Sequence, residues 1–212
     1  MTGPYSIIAS AYDYQTYDSS IEKTVSFRQV SMERDLGRLY QWLASSHVKP
    51  YWQLDLSLPA FRAELEAKLA DDHLTPYIGY LDHIPMSYWE CYWAAEDDLA
   101  NYYDADPADQ GVHLLIGPEE YLGHGYALPL MRAIVAMQFR HQDTDRVVAE
   151  PDARNERVIT VFKQCGFEPQ SEFYFEEAEK NALLLVCERE HFETEVLSDS
   201  VATSCQGVIS ND

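Results

Sequence analysis

The 212 residues predict one α/β domain built on a mixed, mostly antiparallel β-sheet flanked by helices. Three observations predict it. Apolar residues make up 46% and aromatic residues 13%, enough for a sizeable core in a chain of single-domain length. Short β-rich runs alternate with segments of helical periodicity, in the order β α α β β β α β α β β. No internal repeat or linker divides the chain, so the domain is expected over 23–195, with an irregular arm at 1–22 and a mobile tail at 196–212.

The arm carries four tyrosines and little periodicity. Thr24 to Val30 alternates as a strand, and Ser31 offers an N-cap to a helix whose Leu36, Leu39, Tyr40 and Leu43 share a face. His47 to Leu56 reads as an aromatic loop. Ser57 and Pro59 then start a second helix with Phe61, Leu65 and Leu69 on one side. Pro76 to Leu81 and Met86 to Ala94 predict an antiparallel hairpin joined by Asp82-His83-Ile84-Pro85. In its second strand Trp89, Cys91 and Trp93 share one face and Tyr88, Glu90 and Tyr92 the other, both too aromatic for open solvent. An acidic turn region precedes the central strand Val112 to Ile116. A long helix over Leu122 to Arg140, a strand at Arg146 to Glu150 and a helix from Arg154 to Cys165, stopped by Gly166, follow. Phe167 to Phe175 and Ala182 to Glu188 close the domain as strands.

The formal net charge of -21 repels nucleic acid and anionic lipid, and favours a cationic or amine-bearing partner. Most of these carboxylates also serve simply to solvate the surface. The longest apolar runs are too short to cross a bilayer, and no leader pattern opens the chain, so a cytoplasmic protein without membrane contact is expected. Cys91, Cys165, Cys187 and Cys205 lie far apart, with no Cys/His grouping at ligand spacing. Reduced thiols and no metal site are expected.

The chemistry-bearing segment is Gly111 to Tyr126. A buried strand turns at Pro118 and runs into Gly123-His124-Gly125-Tyr126 at a helix start. Glycine allows close approach of main chain to phosphate, and first-turn N–H groups lack internal partners, so the segment is suited to hold an anion. A second segment, Ala149-Glu150-Pro151-Asp152-Ala153-Arg154-Asn155, places a carboxylate and an amide at the sheet's carboxyl edge, although Asp152 and Asn155 also suit helix capping.

These residues resemble the GNAT acyltransferase superfamily, and more closely its branch that acylates N-hydroxylated lysine or diamines in hydroxamate siderophore assembly. The resemblance runs from about His47 to Phe167. Its most specific strings are Asp109-Gln110-Gly111-Val112-His113-Leu114-Leu115-Ile116-Gly117 and Ala149 to Asn155. It implies acetyl-CoA or another short acyl-CoA as co-substrate. The pyrophosphate would be held by amides of Leu122, Gly123, His124, Gly125 and Tyr126, Leu115 would pair with the pantetheine, and Asn155 would contact the cofactor arm. It also assigns catalytic roles to His113 and Asp152, which are expected to act as proton acceptor and as orienting or substrate-binding partner. Two departures stand out. Glu120 replaces the usual Gln or Arg before the glycines, and Phe162 replaces a frequent Tyr, so no phenol is present there to protonate a leaving thiolate.

On the acceptor side Trp52, Trp89 and Trp93 are candidates to wall an alkyl chain, although aromatic stripes are as readily core. Asp109, with Asp104 and Asp106, is a candidate to attract an ammonium group or to stay solvated. The expected partner is a small amine or N-hydroxyamine, and a homo-oligomer is compatible with it. Acetylation of a polycationic molecule such as an aminoglycoside is the alternative within enzymes. A non-catalytic acyl-CoA-binding protein is the alternative outside them.

Overall fold

The computed structural model describes residues 11–52 and 56–197. Its strands are β1 (Tyr14–Asp18), β2 (Lys23–Gln29), β3 (Leu74–Leu81), β4 (Ile84–Trp93), β5 (Gln110–Ile116), β6 (Arg146–Ala149), β7 (Glu168–Phe175) and β8 (Lys180–Glu188). They form one eight-stranded sheet in the order β1-β2-β3-β4-β5-β6-β8-β7. All neighbours are antiparallel except β5 and β6. The mixed, mostly antiparallel sheet that the sequence predicts is therefore the one observed.

Each face of the sheet carries helices because each buries alternate side chains of the same strands. The helices α1 (Met32–Leu43), α2 (Lys49–Trp52) and α3 (Leu58–Leu69) accompany one face, where Leu39, Phe61, Leu65, Ile78, Tyr88 and Leu115 pack together. On the other face α4 (Ala127–Gln138) and α5 (Glu156–Gln164) cover Val25, Phe27, Trp89, Val112 and Leu185. The last described helical turns, α6 (Arg189–His191) and a π-helical turn at Phe192–Val196, seal that second core with Phe192 and Val196.

Local chemistry explains the element ends. Ser31 makes no side-chain cap; instead its N–H donates to Asp35, a buried carboxylate that also accepts from Arg28 and Arg38 and pins β2 to α1. Ser57 does cap α3 through the N–H of Ala60. The β3–β4 hairpin turns on Asp82 and His83, both at positive φ, the pattern of a two-residue turn whose twist matches its strands. Ile84 and Pro85, expected in the link, already belong to β4.

Two expectations are corrected. Within the supposedly irregular arm at 1–22, Tyr14–Asp18 forms the edge strand β1 against β2. Its Tyr-Gln-Thr-Tyr-Asp sequence offers no apolar residue beyond the tyrosines, and its pairing depends on the neighbour. Within the aromatic loop, Lys49–Trp52 makes one helical turn. The beginning of the arm, at 1–10, and the tail beyond 197 lie outside the described residues.

Candidate active site

The parallel pair β5–β6 is registered only at Gln110–Val147 and Gly111–Val148. Beyond Gly111 the two strands part, and one edge of β5 loses its neighbour. A cleft of about 340 Å³ opens there. It is lined by Glu90, His113 and Trp52 from the α1–α3 face and by Leu114, Val158 and Phe162 from the α5 face. The cleft thus crosses the sheet. Main-chain direction alternates along a strand, and both Asp109 and Gly117 bond to β4, so the odd-numbered residues between them point their backbone groups that way. Leu115, expected to pair with pantetheine, is turned towards β4; Leu114 presents its amide and carbonyl to the open edge.

His113 and Glu90 stand directly opposite each other on β5 and β4. The imidazole Nδ1 lies 3.0 Å from Glu90 Oε2, and Nε2 lies 2.5 Å from Glu150 Oε1. Lys68 and the Tyr88 hydroxyl donate to the remaining Glu90 oxygen at 2.8 and 2.7 Å. Tyr92 donates to Glu150 at 2.7 Å, and Lys180 stands 3.6 Å from the same carboxylate. Tyr92 reaches Glu150 across Gly111, where a Cβ would fall 2.0 Å from the ring. No other residue type fits that crossing.

Burial alone would push the two glutamates up and the imidazole down. The charges and hydrogen bonds they exchange win, holding Glu90 and Glu150 at about 2 and raising His113 to about 10. Burial and the adjacent carboxylates push the Tyr88 and Tyr92 phenols well above their usual range. At neutral pH the group is therefore an imidazolium clamped between two carboxylates, each ring N–H donating to one of them.

Several expected assignments change. Asp152 does line the cleft, but its carboxylate is held by Arg154, with Nη2 to Oδ2 at 2.5 Å, and not by His113. Those hydrogen bonds keep Asp152 below its ordinary value. The orienting carboxylates are Glu90 and Glu150. Trp52 fits its expected place, its ring edge-on to His113 at 6.3 Å. Trp89 does not: it is fully buried on the α4–α5 face and donates to Ser87. Trp93 points the same way and packs on His141 beside a separate 230 Å³ cavity. Asp109 is buried and paired with Arg146 at 2.7 Å, which makes it a fastener between β5 and β6. Asn155 both caps α5, accepting from Val158, and lines the cleft.

The glycine segment fits an anion. Gly123 and Gly125 hold φ of 76° and 77°, and α4 has no side-chain cap. Among the described residues, the amides from Gly123 to Tyr126 find no acceptor in the protein, whereas that of Leu122, expected in the same cradle, donates to the Glu119 carbonyl at 3.0 Å. Free amides at the start of a twelve-residue helix are suited to diphosphate oxygens. His124 is exposed and stacked on Tyr126. Replacing Gly125 with valine is expected to raise the KM for acetyl-CoA by about tenfold or more at nearly unchanged kcat. A β-branched residue at positive φ is strained, and the loop must rearrange; steady-state kinetics with varied acetyl-CoA checks this. Among the described residues no group of His, Cys, Asp or Glu is placed to hold a metal ion, and no helix is long and apolar enough to span a membrane.

Comparison with known proteins agrees with the fold and with acyl-CoA as co-substrate. Residues 31–175 match the family described as acetyltransferase (GNAT) domain. The N(6)-hydroxylysine O-acetyltransferase of Escherichia coli is 33% identical over 184 residues, 86% of this chain, which spans only 58% of that protein's length. The N-hydroxyputrescine acetyltransferase of Acinetobacter baumannii is 33% identical over 85% of this chain and 84% of its own. Among solved structures, an uncharacterized protein from Bacillus halodurans superposes with a TM-score of 0.87 at 43% identity, covering 92% of this chain and 98% of that one. The aminoglycoside acetyltransferase AAC(6')-Ib, in complex with ribostamycin and coenzyme A, superposes with a TM-score of 0.74 at 28% identity, covering 81% and 97%. With a family match over most of its length, a sheet parted beside a free-amide helix start, and a cleft through the gap, the chain belongs to the GNAT acetyltransferase family and is an acyl-CoA-dependent N-acetyltransferase.

Proposed function

We propose that the protein transfers an acetyl or other short acyl group from acyl-CoA to the hydroxylated amine of an N-hydroxylysine or N-hydroxydiamine, forming a hydroxamate for siderophore assembly. The observation that carries this reading is the clamped imidazolium. An ordinary alkylamine is protonated at neutral pH and needs a base before it can attack. Among the described residues, the only imidazole lining the cleft is already charged and has both N–H groups engaged. Such a site suits an acceptor that arrives unprotonated, and an N-hydroxylated amine, being less basic, does so.

Bound acyl-CoA supplies the thioester carbonyl that the amine attacks and the thiolate that leaves. Amides from Gly123 to Tyr126 hold its diphosphate, and Leu114 offers the free edge of β5 to its arm. His113 presents fixed positive charge where negative charge develops on the carbonyl oxygen. Asp152, beside it in the cleft, positions the acceptor, and Trp52 packs against the acceptor's alkyl chain. Phe162 donates no proton, so the departing sulfur is protonated by the amine's own proton, through solvent.

Acetylation of an aminoglycoside is the second reading, favoured by the likeness to AAC(6')-Ib. Turnover of N-hydroxylysine, N-hydroxycadaverine and kanamycin, compared side by side with acetyl-CoA, decides between them. The expected result is kcat/KM at least about a hundredfold higher for a hydroxylated acceptor. Rapid turnover of kanamycin alone would replace the first reading with the second.

A further inference from the structure

The charges around the cleft are unequally committed. Three cations stand at its inner end, and each is already engaged by a buried carboxylate. Lys68 is bound to Glu90 at 2.8 Å, His113 lies between Glu90 and Glu150, and Lys180 faces Glu150. Arg154, just outside, is engaged by Asp152 through two nitrogens. No lysine or arginine occurs in the stretches 1–10, 53–55 or 198–212, so none of these can add one.

Carboxylates are in surplus. Glu64 of α3, together with Asp97 and Asp98 from the turn after β4, also lines the cleft. Neither Glu64 nor Asp98 has an ion partner among the described residues. Asp97 has only His73 Nε2, at 3.7 Å, and that imidazole is held more closely by Asp71 at 2.6 Å. Burial holds the Asp97 carboxyl above its ordinary value, against the opposing pull of His113 and His73, neither of which pairs with it closely. The reacting end of the cleft thus carries one net positive charge, three cations against two carboxylates, with every cation already engaged, while its outer wall is anionic.

An acceptor carboxylate entering this cleft would meet uncompensated like charge and find no free cation, whereas an ammonium group would meet Asp97, Asp98 and Glu64. Resting on the acyl-transfer reading of this cleft, we infer that the acceptor is a carboxylate-free diamine derivative, N-hydroxylated at one end and ammonium at the other, and not an N-hydroxy amino acid. In the reaction sequence, a diamine-forming decarboxylation and an N-hydroxylation must then precede this step.

The test compares acceptors that differ only in the carboxylate: N-hydroxycadaverine, N6-hydroxylysine, and the amide of N6-hydroxylysine. The expected kcat/KM is about tenfold or more higher for the diamine than for the amino acid, with the amide recovering most of the difference. Asp98→Lys, which adds an uncommitted cation at the outer wall, should narrow the gap by improving the amino acid. Equal use of diamine and amino acid, or an amide as poor as the free acid, overturns the inference and leaves hydroxamate formation standing. If no hydroxylated acceptor is used, the hydroxamate reading fails separately, and cadaverine against lysine reads the same charge preference. Where neither of those is turned over, their binding to the protein saturated with coenzyme A, followed by calorimetry, reads it: preference for lysine, or none, overturns the inference.

Discussion

Substituting His113 with glutamine lowers kcat for acyl transfer by about a hundredfold or more, while affinity for coenzyme A stays within about twofold. The separation is expected because the proposed diphosphate cradle at Gly123 to Tyr126 follows β5 and contacts nothing on His113, whereas the imidazolium lines the cleft. Glutamine keeps an N–H donor for one glutamate but removes the charge. The pH profile then separates a fixed charge from a proton acceptor. If His113 acts as a charge, wild-type activity holds as pH rises and falls only as the imidazolium deprotonates near 10. A proton acceptor gives the opposite limb, with activity climbing over the same range. The measurement is kcat/KM against pH for wild type and His113→Gln with one N-hydroxylated acceptor.

The second large effect is on stability. Glu150 is 2% exposed and holds His113, Tyr92 and Lys180 at once. Glu150→Ala strands buried cationic and hydroxyl groups and should cost about 3–5 kcal/mol of unfolding free energy; Glu150→Gln should cost less, on the order of 1–3 kcal/mol, because an amide still accepts. The dependence on pH carries a definite sign. In the fold His113 is raised from 6.5 to about 10, so its stabilising effect is complete below 6.5 and lost as pH rises through 10. Glu90 and Glu150 are lowered from 4.5 to about 2, so theirs is complete above 4.5 and lost as pH falls through 2. This cluster therefore stabilises wild type most between 4.5 and 6.5. Glu150→Ala should flatten the alkaline decline. Urea denaturation at stepped pH checks both; an unchanged alkaline slope in the variant would show that the carboxylate does not hold the proton on His113.

The free-amide turn was legible because it is local: two glycines, a strand before them and a helix after them lie within one short segment. His113 was legible through its string. Its true partners were not, because they come from other strands. Glu90 meets His113 only through the β4–β5 register, and Glu150 only because β6 runs parallel to β5 before parting from it. One signal for Glu90 was present: a carboxylate between Tyr88 and Tyr92 on a face too aromatic for solvent must find a buried partner. The tryptophans show the complementary failure. Alternation correctly divided Trp89 and Trp93 from Glu90, but which face belonged to the cleft depended on where α4 and α5 pack. Asp109 misled for a related reason: an acidic loop reads as solvated until Arg146, on another strand, is found beside it. The edge strand β1 carried too few apolar residues to announce itself, and its order comes from pairing with β2.

The parting of β5 from β6 makes the cleft a doorway with two sides. A molecule that docks on the α5 side and one that docks on the α1–α3 side meet in the middle without sharing a corridor. A single tethered compound can occupy both approaches at once, its length set by the thickness of one β-sheet. On the acyl-transfer reading proposed for this cleft, inhibitors are best drawn as a bolt through the sheet, with a phosphate-bearing head on one side and a cationic tail on the other.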